Sequence, residues 1–224
     1  MRTLAIGDVH GCLTALDKML ALVELTPEDR VIFLGDYVDR GPDSCGVIDR
    51  ILELRDQYNI ICLTGNHEIM MSSARYDYLM YESWLRYGGQ ETLASYSHED
   101  GEESPLDAIA QRHWRFLDEV CLPCFEDDSH IFVHANVSPD LPLDEQEDEI
   151  LYWDRFANNG PHCSGKTVIC GHTSQKSGLP LNVGHSVVID TWVYGEGWLT
   201  CLDIQKGHFW QTNQANQHRL GVLA

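Results

Sequence analysis

The sequence predicts an α/β fold in which two β-sheets are separated along the chain by a helical insertion. Over the first seventy residues, strand-like runs alternate with helical segments, which is typical of right-handed βαβ units in a parallel sheet. From residue 69 to about residue 126 the pattern is helical and rich in aromatic residues. Strand-like runs then return, the last of them close together, so we expect a second sheet with antiparallel pairing.

Most strands are predicted from short runs of apolar, often β-branched residues that are bounded by glycine or a polar residue. These runs are residues 3–6, 31–34, 60–63, 131–133 and 168–170, followed by strands at Val187 and Leu199. Apolar residues at helical spacing predict two helices between the first three strands, over residues 13–23 and 44–55.

The predicted insertion, residues 69–126, belongs to a single domain that covers residues 1–224. We expect its aromatic side chains to pack in its interior, because a small helical layer needs large apolar anchors. These side chains are Tyr76, Tyr78, Tyr81, Trp84, Tyr87, Trp114 and Phe116.

The composition argues against nucleic acid and membranes as partners. A formal net charge of −20 opposes binding to the phosphate backbone, which depends on Lys and Arg. Two acidic runs, residues 99–103 and 144–149, are expected to be solvated loops. No apolar stretch approaches the roughly 18 residues that span a bilayer. Because the first strand begins two residues after Met1, a signal peptide has no room and we expect a cytoplasmic protein.

The eight cysteines are expected to be buried thiols, as is usual for free cysteines in that compartment. Cys62, Cys170 and Cys201 lie inside apolar, strand-like runs, which favours burial over a disulfide framework.

Six residues with the chemistry of metal ligands come just after predicted strands. They are Asp8, His10, Asp36, Asn66, His134 and His172. In open α/β sheets the crevice beyond the carboxyl ends of the strands is where sites form, so we expect these side chains to meet in one cleft. Mixed oxygen and imidazole ligands suit manganese, iron or zinc better than calcium or magnesium. The sequence therefore predicts a centre of two divalent transition-metal ions, with manganese preferred, for hydrolysis of phosphate esters.

The motifs GDxHG, GDxVDRG and GNHE, at residues 7–11, 35–41 and 65–68, resemble those of the metal-dependent serine/threonine phosphoprotein phosphatase family. Residues 133–135, 171–173 and 188–191 fit the same pattern, and residues 84–96 resemble its compact bacterial and phage-lambda branch. The resemblance spans nearly the whole chain. It implies the calcineurin-like metallophosphoesterase fold, a central β-sandwich of mixed sheets flanked by helices.

The same resemblance implies a role for each candidate ligand. Asp8 and His10 would hold the first metal ion, and Asp36 would bridge the two ions. The second ion would be completed by Asn66, His134 and His172.

The resemblance also implies catalytic and substrate-binding roles. His67 maps to the general acid, and Asp39 to the carboxylate that orients it and favours its protonated form. Arg40 maps to a bidentate phosphate clamp, and Arg155 to a second substrate arginine. The family commonly has an arginine before the GNHE motif, where this chain has Thr64. The missing arginine either weakens binding of phosphomonoesters, or its charge is replaced by that of Arg155 or another basic residue.

We therefore predict a metal-dependent phosphomonoester hydrolase that acts on phosphoserine and phosphothreonine of proteins or peptides and on small phosphomonoesters. A metal-bridging hydroxide would attack phosphorus in line while His67 protonates the departing oxygen. A dinucleoside polyphosphate hydrolase, built on similar motifs, is the alternative enzyme. A scaffold protein that has lost catalysis is an alternative of another class, and the intact ligand set argues against it. The oligomeric state stays open.

Overall fold

A computed structural model of the chain describes residues 2–96 and 104–223. The predicted acidic loop at residues 99–103 lies outside the described residues. The other acidic run, residues 144–149, is largely exposed, and a short helix begins at Asp148 within it. This second run is therefore only partly a loop.

The first sheet has six strands in the order β11-β10-β9-β1-β2-β3. Its strands are β1 (Thr3–Ile6), β2 (Arg30–Phe33), β3 (Asn59–Cys62), β9 (Leu199–Asp203), β10 (His208–Thr212) and β11 (His218–Val222). Helices α1 (Leu13–Val23) and α2 (Ser44–Arg55) connect β1 to β2 and β2 to β3, which are parallel. The predicted βαβ units are present, and both helices have the predicted bounds.

The second sheet has five strands in the order β4-β5-β6-β8-β7. They are β4 (Cys124–Glu126), β5 (His130–Val133), β6 (Thr167–Cys170), β7 (Leu181–Asn182) and β8 (Ser186–Val188). The three central strands are parallel, and only the edge strands β4 and β7 run antiparallel to their neighbours. The crossover from β5 to β6 contains helix α7 (Asp148–Tyr152) and is long enough for a parallel connection.

Two expectations for the second sheet are wrong. The strands at Val168 and Val187, expected to pair antiparallel, pair in parallel as β6 and β8. The strand at Leu199 does not join the second sheet; as β9 it pairs antiparallel with β1 of the first sheet. Residues 189–198 carry the chain from one sheet to the other, so nearness in sequence does not give nearness in a sheet here. The hairpin of β10 and β11 is not anticipated from the sequence.

The core confirms a β-sandwich flanked by helices. Ala5, Ile32, Phe132 and Ile169 lie in one buried cluster between the two sheets. The alternate residues of β1, Leu4 and Ile6, face the other side, in a cluster with α1 and α2. The outer face of the second sheet packs against α7. Each strand thus contributes one side chain inward and the next outward, as the pleat requires.

The helical segment extends from Asn66 to Val120, since residues 124–126 form β4. Its helices are α3 (Asn66–Ser73), α4 (Tyr78–Trp84), α5 (Gln90–Ala94) and α6 (Gln111–Arg115), with π-helical turns at Leu85–Gly89 and Phe116–Val120. A 3₁₀ turn lies at Pro105–Ala108, and another, Leu143–Glu145, precedes α7.

The predicted packing of the aromatic side chains holds for only part of the set. Trp84, Trp114 and Phe116 are buried, whereas Tyr76 and Tyr78 are 81% and 72% exposed. Tyr87 is also exposed and Tyr81 is half-buried. Leu79 and Met80 of α4 are exposed as well, so the described part of the chain leaves this part of the helix uncovered.

All eight cysteines lie within the described residues and are free thiols. Cys62, Cys170 and Cys201 are buried, as predicted, while Cys163 is exposed. Within residues 2–96 and 104–223, no helix combines the length and apolarity that crossing a membrane would require.

Candidate metal centre

The loops that follow five strands bring the six candidate ligands together. Asp8 and His10 follow β1, Asp36 follows β2, and Asn66 opens α3 after β3. His134 follows β5 and His172 follows β6, so both sheets contribute. The carboxyl ends of these strands lie at one edge of the sandwich, which is why segments distant in sequence meet there.

Asp36 lies at the centre of this group. Among the described residues, two sets of side chains have ligand atoms within 4.8 Å of one another, and both contain Asp36. The first set adds His10 and His67, and the second adds His134 and His172. Asp36 is thus the residue that the two sets share.

Asn66 and Asp8 complete the cluster. The Asn66 Oδ1 atom lies 3.0 Å from His134 Nε2 and 3.1 Å from His172 Nδ1. The Asp8 carboxylate accepts a hydrogen bond from the backbone N–H of His172 at 3.1 Å. The sequence-predicted ligands therefore form one cluster.

Three candidate ligand imidazoles direct an unprotonated nitrogen into the centre. Each uses its other ring nitrogen to donate to a backbone carbonyl, which fixes the tautomer. These bonds are His10 Nδ1 to Val38 O at 2.8 Å, His134 Nδ1 to Leu34 O at 2.9 Å and His172 Nε2 to Trp153 O at 3.1 Å. Burial lowers the pKa of all three, that of His172 to about 4, so the rings are neutral near pH 7.

One inward-facing nitrogen faces only acceptors, since His134 Nε2 lies 3.4 Å from Asp36 Oδ1 and 3.0 Å from Asn66 Oδ1. His10 Nε2, which lies 3.3 Å from Asp36 Oδ2, accepts from the Arg40 guanidinium at 2.8 Å. Lone pairs at this separation repel unless a cation lies between them. Imidazole, carboxylate and amide donors suit manganese, iron and zinc, so the residues present fit two divalent transition-metal ions.

The buried carboxylates of the site also require positive charge nearby. Asp8 is 3% exposed, and burial together with the charges of Asp190 and Asp36 raises its pKa well above the usual range. Asp190 is held apart from the ligands by Ser174 Oγ and the backbone N–H of Trp192, which donate to it. Several carboxylates packed in a dry site are stable when cations share it.

Backbone strain is concentrated at this site. Eight non-glycine residues in the described part of the chain have positive φ, and five of them belong to the predicted site. These five are His10, Asp36, Asp39, Arg40 and His172, with φ between 45° and 73°. Side chains adopt this region at a cost of about 1 to 3 kcal/mol each, and such residues cluster at functional sites.

Glu68 fixes the loop that carries Asp36, a contact not anticipated from the sequence. Its buried carboxylate accepts the backbone N–H groups of Gly65, Asp36 and Tyr37, each at 2.8 Å. The bond to Gly65 is typical of a helix start, while the other two tie α3 to the loop after β2. Glu68 thereby sets the position of Asp36 relative to Asn66.

His67 and Asp39 form a buried pair beside the centre. His67 Nδ1 lies 2.6 Å from Asp39 Oδ2, and both side chains are almost completely inaccessible. Burial opposes protonation of His67, but the charges of Asp36 and Asp39 outweigh it and raise the pKa of the imidazole. Because Nδ1 is bonded to Asp39, Nε2 is the atom left to donate a proton.

The helical segment holds Asp39 in place. Trp84 Nε1 donates to both carboxylate oxygens at 2.9 and 3.0 Å, and Thr92 Oγ1 donates at 2.7 Å. The backbone N–H of Asp39 also lies 2.8 Å from Thr92 Oγ1. From the sequence, Trp84 is expected only to pack in the helical segment. Nothing in the sequence indicates that its indole N–H binds Asp39.

A cavity of about 340 Å³ lies over the cluster, and Asp36 and His172 line it. Arg40, Arg155 and Lys176 bring three cationic side chains to its wall, beside Tyr194. The Arg40 guanidinium reaches His10 at 2.8 Å and lies 4.5 Å from the centre of the Tyr194 ring. Arg40 and Arg155, the two candidate substrate-binding residues, therefore both line the cavity.

Ser174, Lys176 and Tyr194 are the residues of this cavity that the sequence did not reveal. Thr64, where an arginine was expected, is half-buried and donates its backbone N–H to Leu122 O at 2.8 Å; it does not line the cavity. Lys176 lies on the loop after His172, with its Nζ 5.3 Å from the centre of the Trp192 ring. The proximity of Lys176 to the GHT motif at residues 171–173 is the signal that could have identified it.

The model of the calcineurin-like phosphoesterase family matches residues 1–176 of the chain. The serine/threonine-protein phosphatase 1 of Salmonella typhimurium is 30% identical over 132 residues, or 58% of this chain and 57% of that protein. The symmetrical bis(5'-nucleosyl)-tetraphosphatase of Pseudomonas fluorescens strain SBW25 is 39% identical over 75 residues, or 33% of this chain and 26% of that protein. The chain therefore spans between about a quarter and about three fifths of the length of these relatives.

A solved structure described as a putative diadenosine tetraphosphatase has the same fold. It superposes with a TM-score of 0.68 at 18% identity and covers 99% of this chain and 93% of that one. At this identity the similarity shows the fold alone. By their descriptions, these similar proteins act on two different classes of phosphate compound.

Proposed function

Because the chain belongs to the calcineurin-like phosphoesterase family, we propose that this metallophosphoesterase hydrolyses phosphomonoesters, with phosphoserine and phosphothreonine of proteins as substrates. The observation that carries the proposal is the cavity over Asp36, where three cationic side chains face a cluster suited to two metal ions. A phosphoryl group with two negative charges fits this wall. The similarity to the serine/threonine-protein phosphatase 1 of Salmonella typhimurium supports this choice of substrate.

We propose that Asp8, His10, Asp36, Asn66, His134 and His172 hold two divalent ions, with manganese preferred. When bound, the ions supply Lewis acidity that activates water and neutralises phosphoryl charge. Asp36 is shared by the two sets of candidate ligands, so it is the residue proposed to fix the spacing of the ions.

The remaining chemistry belongs to the side chains. Arg40 binds two phosphoryl oxygens with its planar guanidinium, and Arg155 and Lys176 add charge at the wall. His67 donates the proton on Nε2 to the departing oxygen, while Asp39 keeps Nδ1 protonated and the ring oriented. The attack is direct, and no phosphoenzyme forms.

A dinucleoside polyphosphate hydrolase is the second candidate. The similarity to the Pseudomonas tetraphosphatase and the fold shared with the putative diadenosine tetraphosphatase favour it. The two candidates use the same centre and differ in the leaving group that the surrounding surface accepts.

Metal dependence and substrate order are the test of the proposed function. Chelation is expected to abolish hydrolysis of p-nitrophenyl phosphate, and added manganese to restore it, because the nucleophile and the charge neutralisation depend on the ions. With manganese, kcat/KM for a phosphoserine peptide should exceed that for diadenosine tetraphosphate. Full activity in a metal-free sample would contradict the proposal, and the opposite substrate order would select the second candidate.

Lys176→Met is expected to raise KM for p-nitrophenyl phosphate about tenfold, as one charge-assisted hydrogen bond is worth about 1.5 kcal/mol. The inhibition constant of inorganic phosphate should rise by the same factor, while Lys176→Arg should retain binding. Lys166→Met is the matched control, because Lys166 pairs with Glu126 and lies outside this cavity. An unchanged KM in the Lys176 variant would show that its charge does not reach the substrate.

A further inference from the structure

A second cavity adjoins the one over the metal centre. It has a volume of about 510 Å³ and shares Arg40 and Tyr194 with the first cavity. Its other wall is the π-helical turn at Leu85–Gly89 and the start of α5, which contribute Arg86, Tyr87, Gln90 and Glu91. The two cavities therefore lie on either side of the Arg40 and Tyr194 side chains.

The second cavity borders the residues that hold the general-acid pair. Arg40 directly follows Asp39, the residue bonded to His67. The segment that forms the far wall is the one whose Trp84 and Thr92 bind the Asp39 carboxylate. The same stretch of chain thus positions the proton donor and builds the cavity beside it.

Gly88 fixes the distance between this wall and Arg40. Its φ is +118°, and a Cβ at this position would lie 2.6 Å from the backbone nitrogen of Arg40. The backbone N–H of Arg40 donates to Gly88 O at 3.3 Å. The backbone of Leu85–Gly89 is kinked at Gly88, whose φ and ψ are not helical, and this kink lies directly against the predicted phosphate clamp.

We propose that this second cavity binds the polypeptide that flanks the phosphorylated residue, with a basic side chain of the substrate paired with Glu91. In an in-line displacement the leaving group departs on the side of the proton donor, so its remainder must lie beside His67 and Asp39. The second cavity adjoins the segment that holds that pair and offers space for this remainder.

The wall offers groups that suit a peptide. Arg86, Gln90, Tyr87 and Glu91 offer both donors and acceptors, which suits backbone amides and polar side chains. Arg40 and Arg86 bring positive charge to the same cavity, and the exposed Glu91 is the one carboxylate among the described residues that line it. Within this cavity a basic side chain of the substrate therefore pairs with Glu91.

The inference rests on the proposed phosphomonoesterase activity, and the experiment separates the two. Two phosphoserine peptides are compared, one with arginines flanking the phosphoserine and one with alanines. Wild-type enzyme with manganese should prefer the arginine peptide about three- to fivefold in kcat/KM, the effect of one exposed ion pair. Turnover of p-nitrophenyl phosphate tests the proposed function separately, since it carries no peptide.

Variants of Glu91 locate the effect. Glu91→Gln should bring the ratio of the two kcat/KM values close to one, and Glu91→Lys should reverse the preference in favour of a peptide flanked by aspartates. Glu119→Gln is the matched control, because Glu119 is exposed in the same helical segment but does not line the cavity. The Glu119→Gln variant should keep the wild-type preference for the arginine peptide.

Two results would overturn the inference. If p-nitrophenyl phosphate is hydrolysed but the preference is absent or survives in Glu91→Gln, the cavity does not read the flanking residues. If Glu91→Gln instead raises kcat/KM for diadenosine tetraphosphate and leaves both peptides unchanged, the cavity holds a nucleotide. Absence of p-nitrophenyl phosphate turnover with manganese would reject the proposed function itself.

Discussion

Asp36→Asn is expected to lower kcat by roughly 10³-fold or more on every substrate. Asparagine keeps the shape of the side chain but removes the charge that both sets of candidate ligands share, at a cost of several kcal/mol in the transition state. Its amide group would also place hydrogens where His10 and His134 direct lone pairs. Steady-state kinetics with saturating manganese, together with metal content per chain, measures both effects.

Asp118→Asn is the control for that variant. Asp118 lies on the surface and pairs with Arg75 at 2.7 Å, away from the centre, so its loss should leave activity and metal content near those of the wild type. An Asp36→Asn protein that keeps two ions per chain and more than about a tenth of the wild-type activity would contradict the role of Asp36 as the shared ligand.

Local segments of the fold could be predicted because their sequences carry a periodic pattern. The strand Thr3–Ile6 and the helices Leu13–Val23 and Ser44–Arg55 have the bounds that their apolar spacing predicts. The partner of the strand at Leu199 could not be predicted, because pairing with β1 joins residues almost two hundred positions apart. Composition and spacing predict which face of a strand is buried, but they do not predict which strand lies beside it in the sheet.

In the candidate site, too, some residues could be predicted from the sequence and others could not. The six candidate ligands are recognisable because each follows a strand and belongs to a motif of fixed spacing, and the structure brings them into one cluster. Lys176 belongs to no such motif, and the stretch 84–96, which contains Trp84 and Thr92, gives no indication that these two side chains bind Asp39. Their contacts depend on how the helical segment and the loop after β6 fold back over the centre, which is tertiary information.

The aromatic residues of the helical segment illustrate why the class of a residue does not determine its burial. Trp84 is fully buried because its indole N–H meets Asp39, whereas Tyr76 and Tyr78 are exposed. A buried aromatic ring with a polar atom needs both an apolar pocket and a hydrogen-bond partner, and only the folded chain supplies both.

His67→Asn is expected to lower kcat on a phosphoserine peptide by roughly 10²- to 10⁴-fold, the usual contribution of general acid catalysis. Metal content should stay near that of the wild type, since His67 is not among the six residues proposed to hold the ions. The comparison variant is His113→Asn, because His113 forms a second His–Asp pair, 2.7 Å from Asp49, outside the centre. The folded fraction of that variant should keep wild-type activity.

The dependence on the leaving group is what identifies His67 as a proton donor. A serine alkoxide is a strong base and needs a proton as it departs, whereas p-nitrophenolate is stable without one, so the loss in His67→Asn should be much smaller on p-nitrophenyl phosphate. Asp39→Asn should show the same pattern, and the double variant should be little worse than either single one, because the two residues act as a unit. Equal losses on both substrates would mean that His67 binds the phosphoryl group or supports the metal centre, and that another group protonates the leaving oxygen.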